Sequence, residues 1–216
     1  MKAILLAAGL GTRLLPITEN TPKCLVKING VSMLEFWLRK LDKKSISTIV
    51  VNTHHFAQNV KDEIAKINLD RKVEIIHEKK LLGTAGTLLS IAEPMTDSQI
   101  LVIHCDNYSD IDIDDFLRAH RDRQKNCSIT MAIFETNNVQ MSGMVNINED
   151  QTICEIIEKP LYSDWTQANA AIYALDQLAI KEICDKFSKS EDIARDILPH
   201  FVGRIQAYKI KGFHMD

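Results

Sequence analysis

A chain of 216 residues is long enough for one substantial domain with a sizeable core, and short of two. Its 45% hydrophobic and 25% charged residues are ordinary globular proportions. A net charge of -3 with both signs interspersed argues against a nucleic-acid partner, and leaves room for a local basic cluster around a small anion.

Strand-length apolar runs occur at 2–7, 47–52, 73–77 and 100–104. Each is continuous rather than alternating, as expected of strands buried on both faces of a parallel sheet. Helices are predicted between them over 32–43, 56–67 and 84–92. In the first, Met33, Leu34, Trp37, Leu38 and Leu41 share one face, with Ser32 placed as the N-cap. This alternation predicts a doubly wound α/β sheet to about residue 105. Beyond it the pattern loosens into a helix at 113–124, a strand at 128–134, and short strands in "GMVNI", "TICEIIEKP", "NAAIYAL" and "RIQAYKI". Two more helices are predicted at 176–187 and 191–201. No linker, repeat or low-complexity tract divides the chain, so a single domain over 1–216 is expected.

Cys24, Cys105, Cys127, Cys154 and Cys184 are odd in number and form no CxxC, so neither zinc nor a disulfide framework is expected. The apolar start "AILLAA" is short for a signal peptide and runs directly into glycines, and no run approaches membrane-spanning length. A soluble, cytoplasmic protein with no membrane partner is the expectation. His54 and His55 are adjacent, so they do not converge on one ion and are placed in a loop. Met131, Met141 and Met144 read as core or rim packing.

The stretch "LLAAGLGTRLLPITENTPK" at 5–23 follows the first strand, where open α/β sheets gather their ligands. Gly9 and Gly11 allow close backbone approach to phosphate oxygens. Thr12 and Arg13 add a hydroxyl and a planar cation, while Pro16 and Pro22 stiffen the return to Lys23. The GK[ST] of a P-loop is absent. Leu14 stands where a dinucleotide fingerprint has its third glycine, and the second strand ends at Asn52 rather than at an acidic residue. Taken alone, the loop is as compatible with a plain turn as with a phosphate cradle.

The same stretch resembles the signature of the sugar-1-phosphate nucleotidyltransferases, also called nucleoside-diphosphate-sugar pyrophosphorylases. The resemblance continues in order through "EKKLLGTAGTL" (78–88), "HCDNY" (104–108), "SGMV" (142–145), "EKP" (158–160), "NAAIY" (169–173) and "GFHMD" (212–216). It is most similar in look to the mannose- and heptose-1-phosphate guanylyltransferases. It implies one Rossmann-like, doubly wound α/β domain with a mixed, mostly parallel central sheet. Residues 1–110 would form the nucleotide-binding half and 111–216 the sugar-phosphate-binding half. The implied partners are a nucleoside triphosphate and a sugar 1-phosphate, joined by in-line attack on the α-phosphorus with release of pyrophosphate.

By the same resemblance Arg13 would grip pyrophosphate and Lys23 would stabilise the α-phosphate. Ala8, Gly9, Gly11, Thr12, Glu78, Gly83 and Thr84 would complete the nucleotide site. Gly143, Glu158, Lys159 and Asn169 would hold the sugar phosphate. Asp106 would bind Mg2+, with Asp216 as the second metal carboxylate, although His214 stands where the family commonly has tryptophan. Asp110, Asp112, Asp114 and Asp115 are expected instead to cap and solvate the next helix.

Glu78 is placed to face the base edge, where a carboxylate accepts side by side from guanine N1–H and the 2-amino group. That reading favours GTP with a hexose or heptose 1-phosphate. Alternatives are selection of the base by backbone groups, a uridylyl-, thymidylyl- or cytidylyltransferase, a non-catalytic nucleotide-sugar-binding module, and a nicotinamide-dependent oxidoreductase. Oligomeric state is not legible.

Overall fold

The computed structural model describes residues 1–92 and 98–215. Its first half follows the predicted alternation: β1 (Lys2–Leu6), the short pair β2 (Lys27–Ile28) and β3 (Val31–Ser32), α1 (Met33–Leu41), β4 (Thr48–Thr53), α2 (Ala57–Lys66), β5 (Lys72–His77), α3 (Gly83–Ala92) and β6 (Ile100–His104). The second half adds β7 (Tyr108–Ser109), α4 (Ile113–Arg121), β8 (Ile129–Glu135), β9 (Gly143–Ile147), β10 (Ile153–Glu158), β11 (Gln167–Leu175), α5 (Gln177–Lys186), β12 (Ile205–Lys209) and β13 (His214–Met215).

Among the described residues the main sheet has nine strands, in the order β10-β9-β11-β6-β1-β4-β5, with β8 paired to β11 and β12 to β8. Strands β5, β4, β1 and β6 run parallel, and β11 joins β6 antiparallel, giving the expected mixed α/β sheet. Pleating sends successive side chains of β1 to opposite faces. Ala3 and Leu5 meet Trp37 and Leu38 of α1, Val60 of α2 and Phe116 of α4. Ile4 meets Leu88 and Ile91 of α3 with Ile180 and Ile183 of α5. Each fully buried leucine here contributes roughly 1.5–3 kcal/mol.

Helix starts follow the sequence. Ser32 accepts from the Glu35 N–H at 3.1 Å, and Asp112 caps α4 by accepting from the Asp115 N–H at 3.0 Å. Asp110 accepts from the Phe213 N–H, Asp114 from Ser45, and Asp115 from Arg118 and Tyr208, so this acidic group is spent on structure. None of the five cysteines forms a disulfide, Met131 and Met144 are core, and no described helix is long and apolar enough to cross a membrane.

Two expectations change. β5 is only partly buried, because it closes one edge of the sheet and, among the described residues, pairs with β4 alone. The predicted helix at 191–201 divides into a π turn at Ile193–Ile197 and a 3-10 turn at Leu198–Phe201. Pro199 offers no N–H to the carbonyl of Arg195, and its ring crowds that carbonyl, so a regular α-helical ladder cannot cross it.

The indole of Trp37 is fully buried, and its Nε1–H donates to the carbonyl of Asn107 at 2.7 Å. His120 is also fully buried, its Nδ1 lying 2.8 Å from Thr130 Oγ1. Burial first, then the charges of Arg123 and Arg121, lower its pKa from 6.5 to about 3. The unfolded chain therefore takes up a proton below pH 6.5 that the folded one refuses down to about 3, and stability falls across that window. Melting temperature should decline between pH 6.5 and 5, and His120→Gln should flatten that decline. An unchanged slope in the variant would assign it to other groups.

Candidate functional site

The carboxyl ends of three central strands lie in one row, with Leu6 of β1 opposite Asn52 of β4 and His104 of β6. From β1 the chain winds outward through β4 and β5, then returns to β6 on the other side of β1. That reversal opens a crevice at the strand ends, the usual ligand position in such a sheet.

The glycine loop lies over this crevice. Gly11 has φ +67, and a Cβ there would come 2.8 Å from Thr18 Cγ2 and 3.0 Å from Lys23 Cβ, so only glycine fits the turn. Thr18 Oγ1 donates to the Gly11 carbonyl at 2.7 Å and pins it. Gly9 faces open space, with nothing within 4 Å of where a Cβ would stand. Lys23 returns over the strand ends and forms an ion pair and hydrogen bond with Asp106, 83 residues away in the chain.

Two cavities meet at that pair. One, of about 190 Å3, is walled in part by Ala8, Gly9, Asn52, Glu78 and Thr84. The other, of about 510 Å3, is walled in part by Arg13, Tyr108, Phe134, Thr136, Asn138 and His214. Lys23 and Asp106 line both. Burial pushes the Asp106 carboxyl up, but the charge and hydrogen bond of Lys23 outweigh it and hold the group below its ordinary value. The junction thus carries an ionised carboxylate beside an ammonium.

Of the expected nucleotide residues, Ala8, Gly9, Lys23, Glu78, Gly83 and Thr84 line the smaller cavity. Gly11 and Thr12 shape the loop without forming its wall, and Arg13 lines the larger cavity instead. Thr84 is partly committed elsewhere, since its hydroxyl accepts from the Ile193 N–H at 2.9 Å. Glu78 differs most from expectation. It is buried, with Oε1 accepting from Asn52 Nδ2 at 2.8 Å and from the Thr87 hydroxyl, and Oε2 accepting from the Leu82 N–H at 3.1 Å. Both acceptor directions of Oε1 are occupied, so this arrangement leaves one direction on Oε2 and not the side-by-side pair expected for guanine. His54 lies in the adjoining loop, its Nδ1 2.8 Å from the Glu78 carbonyl oxygen.

Gly83 opens α3 at φ +74, and a Cβ there would stand 2.2 Å from the Glu191 carbonyl oxygen. That carbonyl accepts from the Ala85 N–H at 3.1 Å, tying the helix start to the 191–193 segment. Gly83→Ala should therefore lower stability by roughly 2–4 kcal/mol, from the left-handed backbone and the forced contact together. Denaturant unfolding would measure it, and a shift below about 0.5 kcal/mol would mean the segment yields freely.

Gly143, Glu158 and Asn169 come together. Gly143 pairs opposite Glu158, and a Cβ on it would lie 2.6 Å from Glu158 Oε2 and 3.7 Å from Asn169 Cβ. Lys159 adjoins them with φ +46, its Nζ 3.8 Å from Glu158 Oε1 and its N–H donating to the Ser142 carbonyl. Contrary to expectation, none of these four is in the wall of either cavity; Ser142, whose carbonyl accepts from the Lys159 N–H, lines the larger one. The Asn169 amide is occupied by the Tyr173 hydroxyl and the Ala171 N–H. Asp216 lies outside the described residues. Among the described residues no group of three or more His, Cys, Asp or Glu side chains is arranged to hold a metal ion.

Sequence reasoning missed Asn52 and Thr87 in the smaller cavity and Tyr108, Phe134, Thr136 and Asn138 in the larger. Asn52 had a readable signal, a polar side chain closing an apolar strand at its carboxyl end. The others depend on which strands pair.

A family model described as nucleotidyl transferase matches residues 2–213. Over its whole length the chain is 29% identical to a putative mannose-1-phosphate guanyltransferase of Sulfolobus acidocaldarius, covering 59% of that protein. It is 28% identical, again over its whole length, to the mannose-1-phosphate guanylyltransferase catalytic subunit beta of Danio rerio, covering 61% of it. The chain thus spans about three-fifths of the length of these relatives. Among solved structures, HddC from Yersinia pseudotuberculosis complexed with GMP-PN superimposes with a TM-score of 0.79 at 25% identity, covering all of this chain and 92% of that one.

Proposed function

The chain belongs to the nucleotidyl transferase family, and we propose that it transfers a nucleoside monophosphate, from GTP in preference, to a hexose or heptose 1-phosphate. A phosphate oxygen of the sugar 1-phosphate bonds to the α-phosphorus, the bond to the β-phosphate breaks, and pyrophosphate leaves. The observation that carries this reading is the Lys23–Asp106 pair common to two adjoining cavities. A site that joins two polyanions needs its charges where they meet, and no protein nucleophile.

In this reading the smaller cavity, walled by residues of the 1–110 half, takes the nucleotide, and the larger, lined from both the 1–110 and the 111–216 halves, takes the sugar phosphate. The open space at Gly9 suits phosphate oxygens. Lys23 neutralises charge developing at the α-phosphate, and Arg13 binds phosphate from the larger cavity. Asp106 would hold Mg2+, which neutralises phosphate oxygens when bound. The ionised carboxylate of Asp106 at this junction fits that ion, which commonly takes one or two carboxylates together with substrate oxygens and waters. Asp216 would be the second carboxylate.

Support for guanine comes from the relatives named for guanylyl transfer and from the HddC complex with GMP-PN. Glu78 then accepts one base donor through Oε2, and backbone groups of the 81–83 loop complete the selection. Assays with GTP, UTP, dTTP and CTP against a panel of sugar 1-phosphates test the proposal. GTP should exceed the others in kcat/KM by about tenfold or more, the scale of one well-placed hydrogen bond. A pyrimidine preference would overturn the guanine assignment, and no pyrophosphate release with any pair would overturn transfer itself.

A further inference from the structure

We infer that Asn52 is a positioning residue for base selection, acting through Glu78 and resting on the function just proposed. Asn52 is 3% exposed, and its carboxamide makes three hydrogen bonds. Oδ1 accepts from the Ala7 N–H at 2.7 Å, while Nδ2 donates to Glu78 Oε1 at 2.8 Å and to Thr87 Oγ1 at 3.1 Å. The partners fix which end is which, since a backbone N–H can only donate and a carboxylate can only accept.

These bonds join three walls of the smaller cavity. Ala7 begins the glycine loop, Glu78 follows β5, and Thr87 lies in α3. Asn52 stands at the carboxyl end of β4 between them, opposite Leu6 of β1. The geometry has two effects. It sets the start of the phosphate loop against the base-side carboxylate, so the two substrate-facing parts keep one spacing. It also occupies Oε1 together with Thr87, so Glu78 presents only the remaining direction of Oε2 to a ligand. Without Asn52 the carboxylate loses a charge-assisted partner and its fixed rotamer, and the Ala7 N–H loses its acceptor. Selection among bases should then suffer more than general turnover.

The test compares kcat and KM for GTP, ITP, UTP and CTP in the wild type, Asn52→Ser and Thr87→Val. Thr87→Val removes the second donor to Oε1 at nearly constant shape, and it decides the matter if the Asn52 variant does not fold. The expected result is that KM for the preferred nucleotide rises and its kcat/KM advantage over the others shrinks at least tenfold in Asn52→Ser. Thr87→Val should move the same way by less. A folded variant that slows all nucleotides in proportion, keeping the wild-type ratios, would overturn the inference and leave Asn52 a purely structural residue. The wild-type panel separately reads the proposed function: absence of turnover there refutes transfer, whereas preserved ratios in the variants refute only the role of Asn52.

Discussion

Lys23→Ala is expected to lower turnover by about 10²- to 10³-fold, the scale of losing one preorganised electrostatic donor. The side chain belongs to a loop, so circular dichroism and melting should show the fold retained. A second effect follows from its bond to Asp106. Lys23 is what holds that carboxyl below its ordinary value against burial. With the ammonium gone, the two largest effects opposing burial are lost, leaving the smaller ones of His104 and a backbone hydrogen bond, and the pKa rises. The residual activity should therefore lose its acid limb at higher pH than the wild type does, because protonated Asp106 no longer serves as an anionic ligand. Near-normal turnover in folded protein would contradict the role of Lys23. An unmoved acid limb would separate Asp106 from the pH dependence.

Asp106→Asn should be the more damaging change, with turnover lower by about 10³-fold or more in saturating magnesium, corresponding to several kcal/mol of lost charge stabilisation. The substitution is nearly isosteric, so packing is preserved while the carboxylate charge is removed. Chelation should abolish wild-type turnover and added magnesium should restore it. Asp216→Asn should be impaired as well. Full activity in chelator would remove the metal from the proposal, and an active Asp106→Asn protein would show that the carboxylate at the cavity junction is dispensable.

The fold was legible wherever pattern is local. The apolar runs of β1, β4 and β6 and the amphipathic face of α1 announce themselves, as does the Ser32 cap. The position of β5 at the sheet edge was not, because edge and centre differ by sheet order rather than by the strand's own residues. Pro199 stands inside the stretch predicted as the last helix, and its effect on the hydrogen-bond ladder shows only in the backbone geometry.

In the site, the glycine loop, Lys23 and Asp106 were each identifiable from sequence by resemblance. Their mutual ion pair was not, since it spans 83 positions and carries no periodic trace. Glu78 shows the same limit. A glutamate after a strand reads as an outward-facing acceptor, and only the approach of Asn52 and Thr87 reveals how little of it stays open.

The bond between Trp37 and Asn107 makes this protein report optically on its own crevice. Asn107 directly follows Asp106, so the buried indole is anchored one residue from the cavity junction. The other of the two tryptophans, Trp165, lies half-exposed beyond β10. Trp37 emission should accordingly be blue-shifted and shielded from iodide, while Trp165 emission should be red-shifted and quenchable. A Trp165→Phe protein would leave one intrinsic fluorophore, through which ligand arrival at Asp106 becomes visible in a stopped-flow trace without a coupled enzyme or an added dye.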